Sequence, residues 1–316
     1  MNNNRSFFVS LPLKELLPRK FIPGRFNFRY GVSQICLRKR DINGYEIKKE
    51  ENFNLLKNEM NISEIFKNKK VLITYLTAGD PSLDKTEDYI LAMAENGADI
   101  IEIGIPFSDP IAEGKTIQNA MSRALSKNIN LDYIFNMVVN VKKKSKIPLM
   151  FMTYLNPLLS YGYERFFKRC RWTGISGIII PDMPFEEQGE IKEFTDKYGI
   201  AVINLIAPTS EERINILAKQ AKGFIYLVSS LGVTGMRNRI TTDISAIVSK
   251  IKKATDTPIA VGFGISSAEQ AKDMAKLADG VIIGSAIVKI IAENKENTAA
   301  ELAKYVSDIK RSICGL

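Results

Sequence analysis

From residue 61 onward the chain alternates. Short, nearly continuous apolar runs recur eight times, at 71–75, 100–104, 149–153, 177–180, 201–205, 224–228, 259–262 and 280–283. Between them lie amphipathic stretches that predict helices, for example at 84–95, 131–144, 186–197, 211–219, 244–252 and 268–276. Strands this apolar are buried on both faces, and strands alternating with helices pair in parallel. Eight such units in about 250 residues predict an α/β fold, a single (β/α)8 TIM barrel over residues 61–316. An open doubly wound sheet is the rival architecture. In a barrel, the active site lies at the C-terminal ends of the strands. The richest apolar stretch, 281–292, is interrupted by Lys289 and predicts a strand running into a helix, too short to span a bilayer.

Residues 1–60 lack this periodicity. Residues 1–40 carry nine Lys or Arg and one acid, Glu15, so most of the chain's net charge of +9 resides there and the remainder is close to neutral. A near-neutral body offers no broad electrostatic footprint for nucleic acid. An Arg-rich, acid-poor start resembles an organellar transit peptide, and it points to a plastid or chloroplast address. A basic tail without an address, on a cytoplasmic protein, is the alternative. Residues 45–60 read as a charged linker.

The chain has no histidine and three widely spaced cysteines, Cys36, Cys170 and Cys314. Histidine triads, histidine general bases and histidine metal sites are excluded, no metal site is expected, and no disulfide framework is indicated. Acid–base chemistry falls to Asp, Glu, Tyr, Lys or Cys.

Three segments carry that chemistry. In IEIGIPFSDPIAEG (101–114), Glu102 sits in an apolar strand and Glu113 in the polar loop that follows. Burial raises a carboxyl pKa toward a useful acid–base range, although a structural glutamate paired with a cation gives the same pattern. Two carboxylates in one pocket can divide acid and base duties. In VGFGISS (261–267) and VIIGSAIVK (281–289), Gly262, Gly264, Ser266, Ser267, Gly284 and Ser285 lead from strands into helices. Helix N-termini freed by glycine bind phosphate, and barrels commonly do so after strands seven and eight. Plain helix capping is the alternative for the serines. In YLVSSLGVTGMRNR (226–239), Gly232 and Gly235 flank a candidate lid.

Together with LTAGDPS (76–82), YLNP (154–157) and IPDMPFEE (180–187), these segments resemble the tryptophan synthase α subunit family from about residue 63 to 310. The YLVSS form resembles plant and cyanobacterial members most. The resemblance implies retro-aldol cleavage of indole-3-glycerol phosphate to indole and glyceraldehyde 3-phosphate. It implies that Glu102 is the general acid–base, that Tyr226 stands beside the reacting side chain and that Thr234 belongs to the lid. Gly235, Phe263, Gly264, Gly284 and Ser285 match phosphate-binding positions. A β subunit that carries pyridoxal phosphate is the implied partner, in an α2β2 assembly, with Pro106, Asp109 and Pro184 facing it; this chain itself needs no cofactor. The family's second carboxylate is an Asp followed by Gly-Pro, whereas Glu113 is followed here by Gly114 and Lys115. Three alternatives stand beside this reading: a lyase that releases free indole by itself, a weakly catalytic activator of β, and a sugar-phosphate isomerase.

Overall fold

The computed structural model describes residues 61–208, 211–229, 244–262, 264–293 and 296–315. The 1–60 extension therefore lies outside the described residues, as do Thr234, Gly235 and Phe263.

Nine parallel strands form one sheet: β1 (Val71–Thr77), β2 (Ile100–Gly104), β3 (Leu149–Met152), β4 (Ile175–Ile179), β5 (Ala201–Val202), β6 (Asn204–Ile206), β7 (Ile225–Val228), β8 (Ile259–Gly262) and β9 (Gly280–Ile283). Their order in the sheet is β5-β4-β3-β2-β1-β9-β8-β7-β6. The two ends of that order are neighbours in the chain, separated by Ile203 alone, so the sheet curls into a nearly closed TIM barrel. The expected fifth strand at 201–205 is thus two short pieces. β5 pairs with β4, and β6 pairs with β7. The Ile203 amide still donates to the Ile178 carbonyl at 2.9 Å. The break falls where the chain changes partner. There Asn204 is buried, accepting from the Gln188 amide at 3.1 Å.

Eleven α-helices accompany these strands among the described residues. α1 (Leu83–Glu95), α3 (Leu131–Lys144), α7 (Glu211–Lys219), α8 (Ile244–Ala254) and α9 (Ala268–Leu277) match the amphipathic stretches closely. The stretch at 186–197 resolves into a 3-10 turn, Phe185–Glu187, and α6 (Gly189–Tyr198). The remaining helices are α2 (Lys115–Leu125), α4 (Leu155–Tyr161), α5 (Tyr163–Thr173), α10 (Ser285–Ala292) and α11 (Thr298–Cys314). No helix among the described residues is long and apolar enough to cross a membrane.

Strand alternation divides the core in two. Outward residues such as Leu72, Ile101, Ile103, Phe151 and Ile178 pack under the helices. Inward residues such as Ile73, Ile100, Met150 and Tyr226 fill the barrel. A 3-10 turn, Ile62–Phe66, closes the N-terminal end, with the Phe66 and Phe224 rings 5.6 Å apart. Gly177 leaves room for this plug, because a Cβ there would stand 2.9 Å from the Ile62 side chain.

Candidate active site

Glu102 owes its place to the alternation of β2. Ile101 and Ile103 turn outward, so Glu102 turns inward, in register with Tyr75 on β1 and Met150 on β3. It is 1 % exposed, and neither carboxyl oxygen has a hydrogen-bond partner among the described residues. That separates it from the paired structural glutamate that the sequence left open. Burial, reinforced by the nearby charge of Glu113, pushes its pKa up to about 8. Glu102 is therefore mainly protonated at neutral pH, and small changes around it can release the proton.

Glu113 arrives from the loop between β2 and α2, and it too is fully buried. Its own carbonyl accepts from the Gln118 amide at 2.8 Å. Lys115 is exposed as the first residue of α2. The two carboxylates line one cavity with Tyr75, Ile117, Met152, Tyr226 and Ile282, and with Gly264, Gly284 and Ser285. The structure thus brings together Glu102, Glu113, Tyr226, Gly264, Gly284 and Ser285.

Two tyrosines flank the carboxylates, each over a glycine. A Cβ on Gly104 would stand 2.1 Å from the Tyr75 hydroxyl, and one on Gly262 would stand 2.6 Å from the Tyr226 ring. No other residue fits at those two positions while the tyrosines stay in place. Burial holds both phenols well above their ordinary pKa, so they remain neutral. Gly262 thus serves packing rather than a ligand. Tyr75 escaped the sequence reading, although alternation from the apolar residues of β1 places it inside.

In the same cavity, Gly264 has φ +91°, a left-handed conformation that favours glycine. Gly284 precedes α10 and has no side chain with which to cap the first-turn amides of that helix. An uncapped helix N-terminus facing a cavity suits an anion. Ser266 and Ser267 are engaged differently. The Ser267 hydroxyl accepts from the Gln270 amide at 3.2 Å and caps α9, while the Ser266 amide donates to the Gln270 side chain at 2.9 Å. The capping role holds for Ser267, while Ser266 binds the Gln270 side chain.

Tyr154, quoted in the sequence only as part of a turn, is buried between β3 and α4. Its hydroxyl accepts from the Ala112 amide at 3.0 Å, and its ring stacks on Phe107 at 5.3 Å. Of the residues expected to face a partner, Asp109 and Pro184 are exposed and Pro106 is buried.

A parallel β/α barrel with two buried carboxylates at the C-terminal strand ends, and no imidazole anywhere, is an acid–base barrel enzyme. Comparison with known proteins gives it a place within that class. The tryptophan synthase alpha chain family matches residues 63–313, and the chain belongs to that family. It is 49 % identical over 255 residues to the alpha chain of Lactiplantibacillus plantarum, covering 80 % of this chain and 96 % of that one. With the alpha chain of Thermoanaerobacter sp. strain X514 it shares 47 % identity over 244 residues, covering 77 % and 93 %. The solved subunit alpha of Legionella pneumophila superposes with a TM-score of 0.74 at 35 % identity, covering 81 % of this chain and 100 % of that one. None of these three relatives comes from a plant or a cyanobacterium, which gives no support to the leaning read from YLVSS. The chain is accordingly a carbon–carbon lyase of tryptophan biosynthesis. It cleaves indole-3-glycerol phosphate to indole and glyceraldehyde 3-phosphate, a reaction for which the alpha chain needs no cofactor.

Proposed function

We propose that Glu102 is the acid–base of this cleavage and that Glu113 is its companion. The observation that carries the reading is a buried carboxyl without hydrogen-bond partners among the described residues, holding its proton up to about pH 8, in one cavity with a second carboxylate. Glu102 begins protonated and gives its proton to the indole ring carbon that bears the glycerol chain. Glu113, as an anion, accepts a hydrogen bond from the indole N–H and offsets the positive charge this creates on the ring. Glu102, now a carboxylate, takes the proton of the adjacent glycerol hydroxyl. The carbon–carbon bond breaks, its electron pair returns to the ring, and the hydroxyl carbon becomes the aldehyde. Glu102 ends protonated, as it began. Gly264, Gly284 and Ser285 hold the phosphate and Tyr226 stands beside the glycerol chain; to the phosphate the family resemblance adds Gly235 and Phe263, and to the lid Thr234.

The Glu102→Gln variant tests this. Cleavage should fall by at least about 1000-fold, while a non-cleavable indolyl-alkyl phosphate still binds. Near-normal turnover would exclude Glu102.

The partner reading is a β subunit in an α2β2 assembly, docked over the mouth of the barrel. Ile111, on the loop that carries Glu113, is 74 % exposed, and Leu159 on α4 is 53 % exposed. Exposed large apolar side chains near a catalytic loop suit a partner whose docking orders that loop. Adding β should raise the rate of indole release; an unchanged rate would favour the self-sufficient lyase. For residues 1–60 we propose an organellar address, plastid by composition, removed from the mature chain. N-terminal sequencing of the native protein tests this, and an intact Met1 would refute it.

A further inference from the structure

We propose that Tyr154 is a positioning residue that fixes where the Glu113 carboxylate stands. The proposal rests on the reading of Glu113 as companion carboxylate. Between the end of β2 and the start of α2 the chain crosses the barrel mouth over residues 105–114, with Ser108, Asp109 and Ile111 exposed. Such a stretch does not hold a buried carboxylate at a defined depth by itself. Tyr154 grips it at two points. Its ring stacks on Phe107 near the start, and its hydroxyl takes the Ala112 amide directly before Glu113. The Glu113 amide donates to the Pro110 carbonyl at a long 3.5 Å, and its carbonyl accepts from the Gln118 amide at 2.8 Å.

Tyr154 is itself immobilised. It is 1 % exposed and directly precedes α4, and the next amide, Leu155, donates to both oxygens of Asp182 at 3.0 and 3.2 Å. The loop after β4 thus holds the end of β3, which holds the loop after β2. Burial and the nearby Glu113 charge raise the Tyr154 pKa, so the phenol stays neutral and places no second negative charge beside the carboxylate. The extra methylene of Glu113, relative to the aspartate usual in the family, makes a defined anchor for its backbone more consequential.

Tyr154→Phe keeps the ring stack and removes the hydroxyl. Cleavage should lose on the order of 10-fold in kcat, with KM within about 2-fold and the melting curve nearly unchanged. The deciding measurement is a double-mutant cycle with Glu113→Gln. If Tyr154 acts through Glu113, adding Tyr154→Phe to Glu113→Gln lowers kcat no further. Should Glu113→Gln leave too little steady-state turnover to read, the same cycle is run in single turnover with enzyme in excess over indole-3-glycerol phosphate, and the loss from Tyr154→Phe should likewise vanish in the double variant. Full additivity, or a Tyr154→Phe enzyme with wild-type kcat, overturns the positioning role and leaves Glu113 standing. Wild-type kcat in Glu113→Gln overturns the Glu113 reading, and the proposal with it.

Discussion

The two ends of the barrel treat their carboxylates in opposite ways. At the N-terminal end, Asp99 and Asp279 stand directly before β2 and β9 and reach back to a neighbouring strand. Asp99 accepts from the Leu72 amide at 2.8 Å and Asp279 from the Ile259 amide at 2.9 Å. Lysines complete both: Lys69 and Lys310 on Asp99, Lys252 on Asp279. At the C-terminal end, Glu102 is more deeply buried and has no such partners among the described residues. One end uses carboxylates to latch strands together. The other keeps a carboxyl where its proton is loosely determined, which is poor for stability and useful for catalysis.

The largest effect that would sharpen this contrast belongs to Glu102. In the unfolded chain its carboxyl titrates near the ordinary 4.5, and in the folded protein near 8. Between those values the native state binds more protons than the unfolded state, so its stability falls as pH rises through that window. The penalty is absent below about 4.5 and complete above about 8, with a ceiling on the order of 5 kcal/mol. Glu102→Gln, which cannot ionise, should therefore melt several degrees above the wild type at pH 9 and close to it near pH 4.5. Equal melting temperatures at both pH values would show that the site is not strained in this way. Activity should move the same way, with wild-type kcat declining above about pH 8 as the proton is lost.

Next in size is Asp99→Ala. The variant strips the Leu72 amide of its acceptor and leaves Lys310, whose side chain is 21 % exposed, without its carboxylate. A loss of about 3 kcal/mol in urea unfolding is expected, with kcat per folded molecule unchanged. A fall in kcat beyond about 2-fold would break the separation between the two ends.

How much of this division was legible in the sequence depends on how local its cause is. The strands were legible because parallel strands are apolar throughout, and Glu102 was legible as the one carboxylate inside such a run. The burial of Glu113 was not, because its loop is polar and its depth is set from elsewhere. Tyr154 meets Ala112 across 42 residues, and no local pattern announces such a contact. The break at Ile203 was hidden as well: AVINLI reads as an uninterrupted strand, and it is closure of the barrel that splits it between two partners. Thr234, Gly235 and Phe263 lie outside the described residues, so their roles rest on the resemblance alone.

The smallest effect tests what makes the N-terminal latches hold. Asp279 has the same backbone bond as Asp99 but a lone lysine, Lys252, at 3.1 Å, with side-chain exposures of 49 % and 30 % for lysine and aspartate. An ion pair so open to solvent is screened and contributes little. Lys252→Ala should therefore lower the urea-unfolding free energy by less than about 1 kcal/mol, since the Ile259 amide keeps its acceptor. If the loss instead approached that of Asp99→Ala, the lysines rather than the strand amides would carry the latch. The contrast between the two ends would then be one of ion pairing, and no longer one of backbone satisfaction.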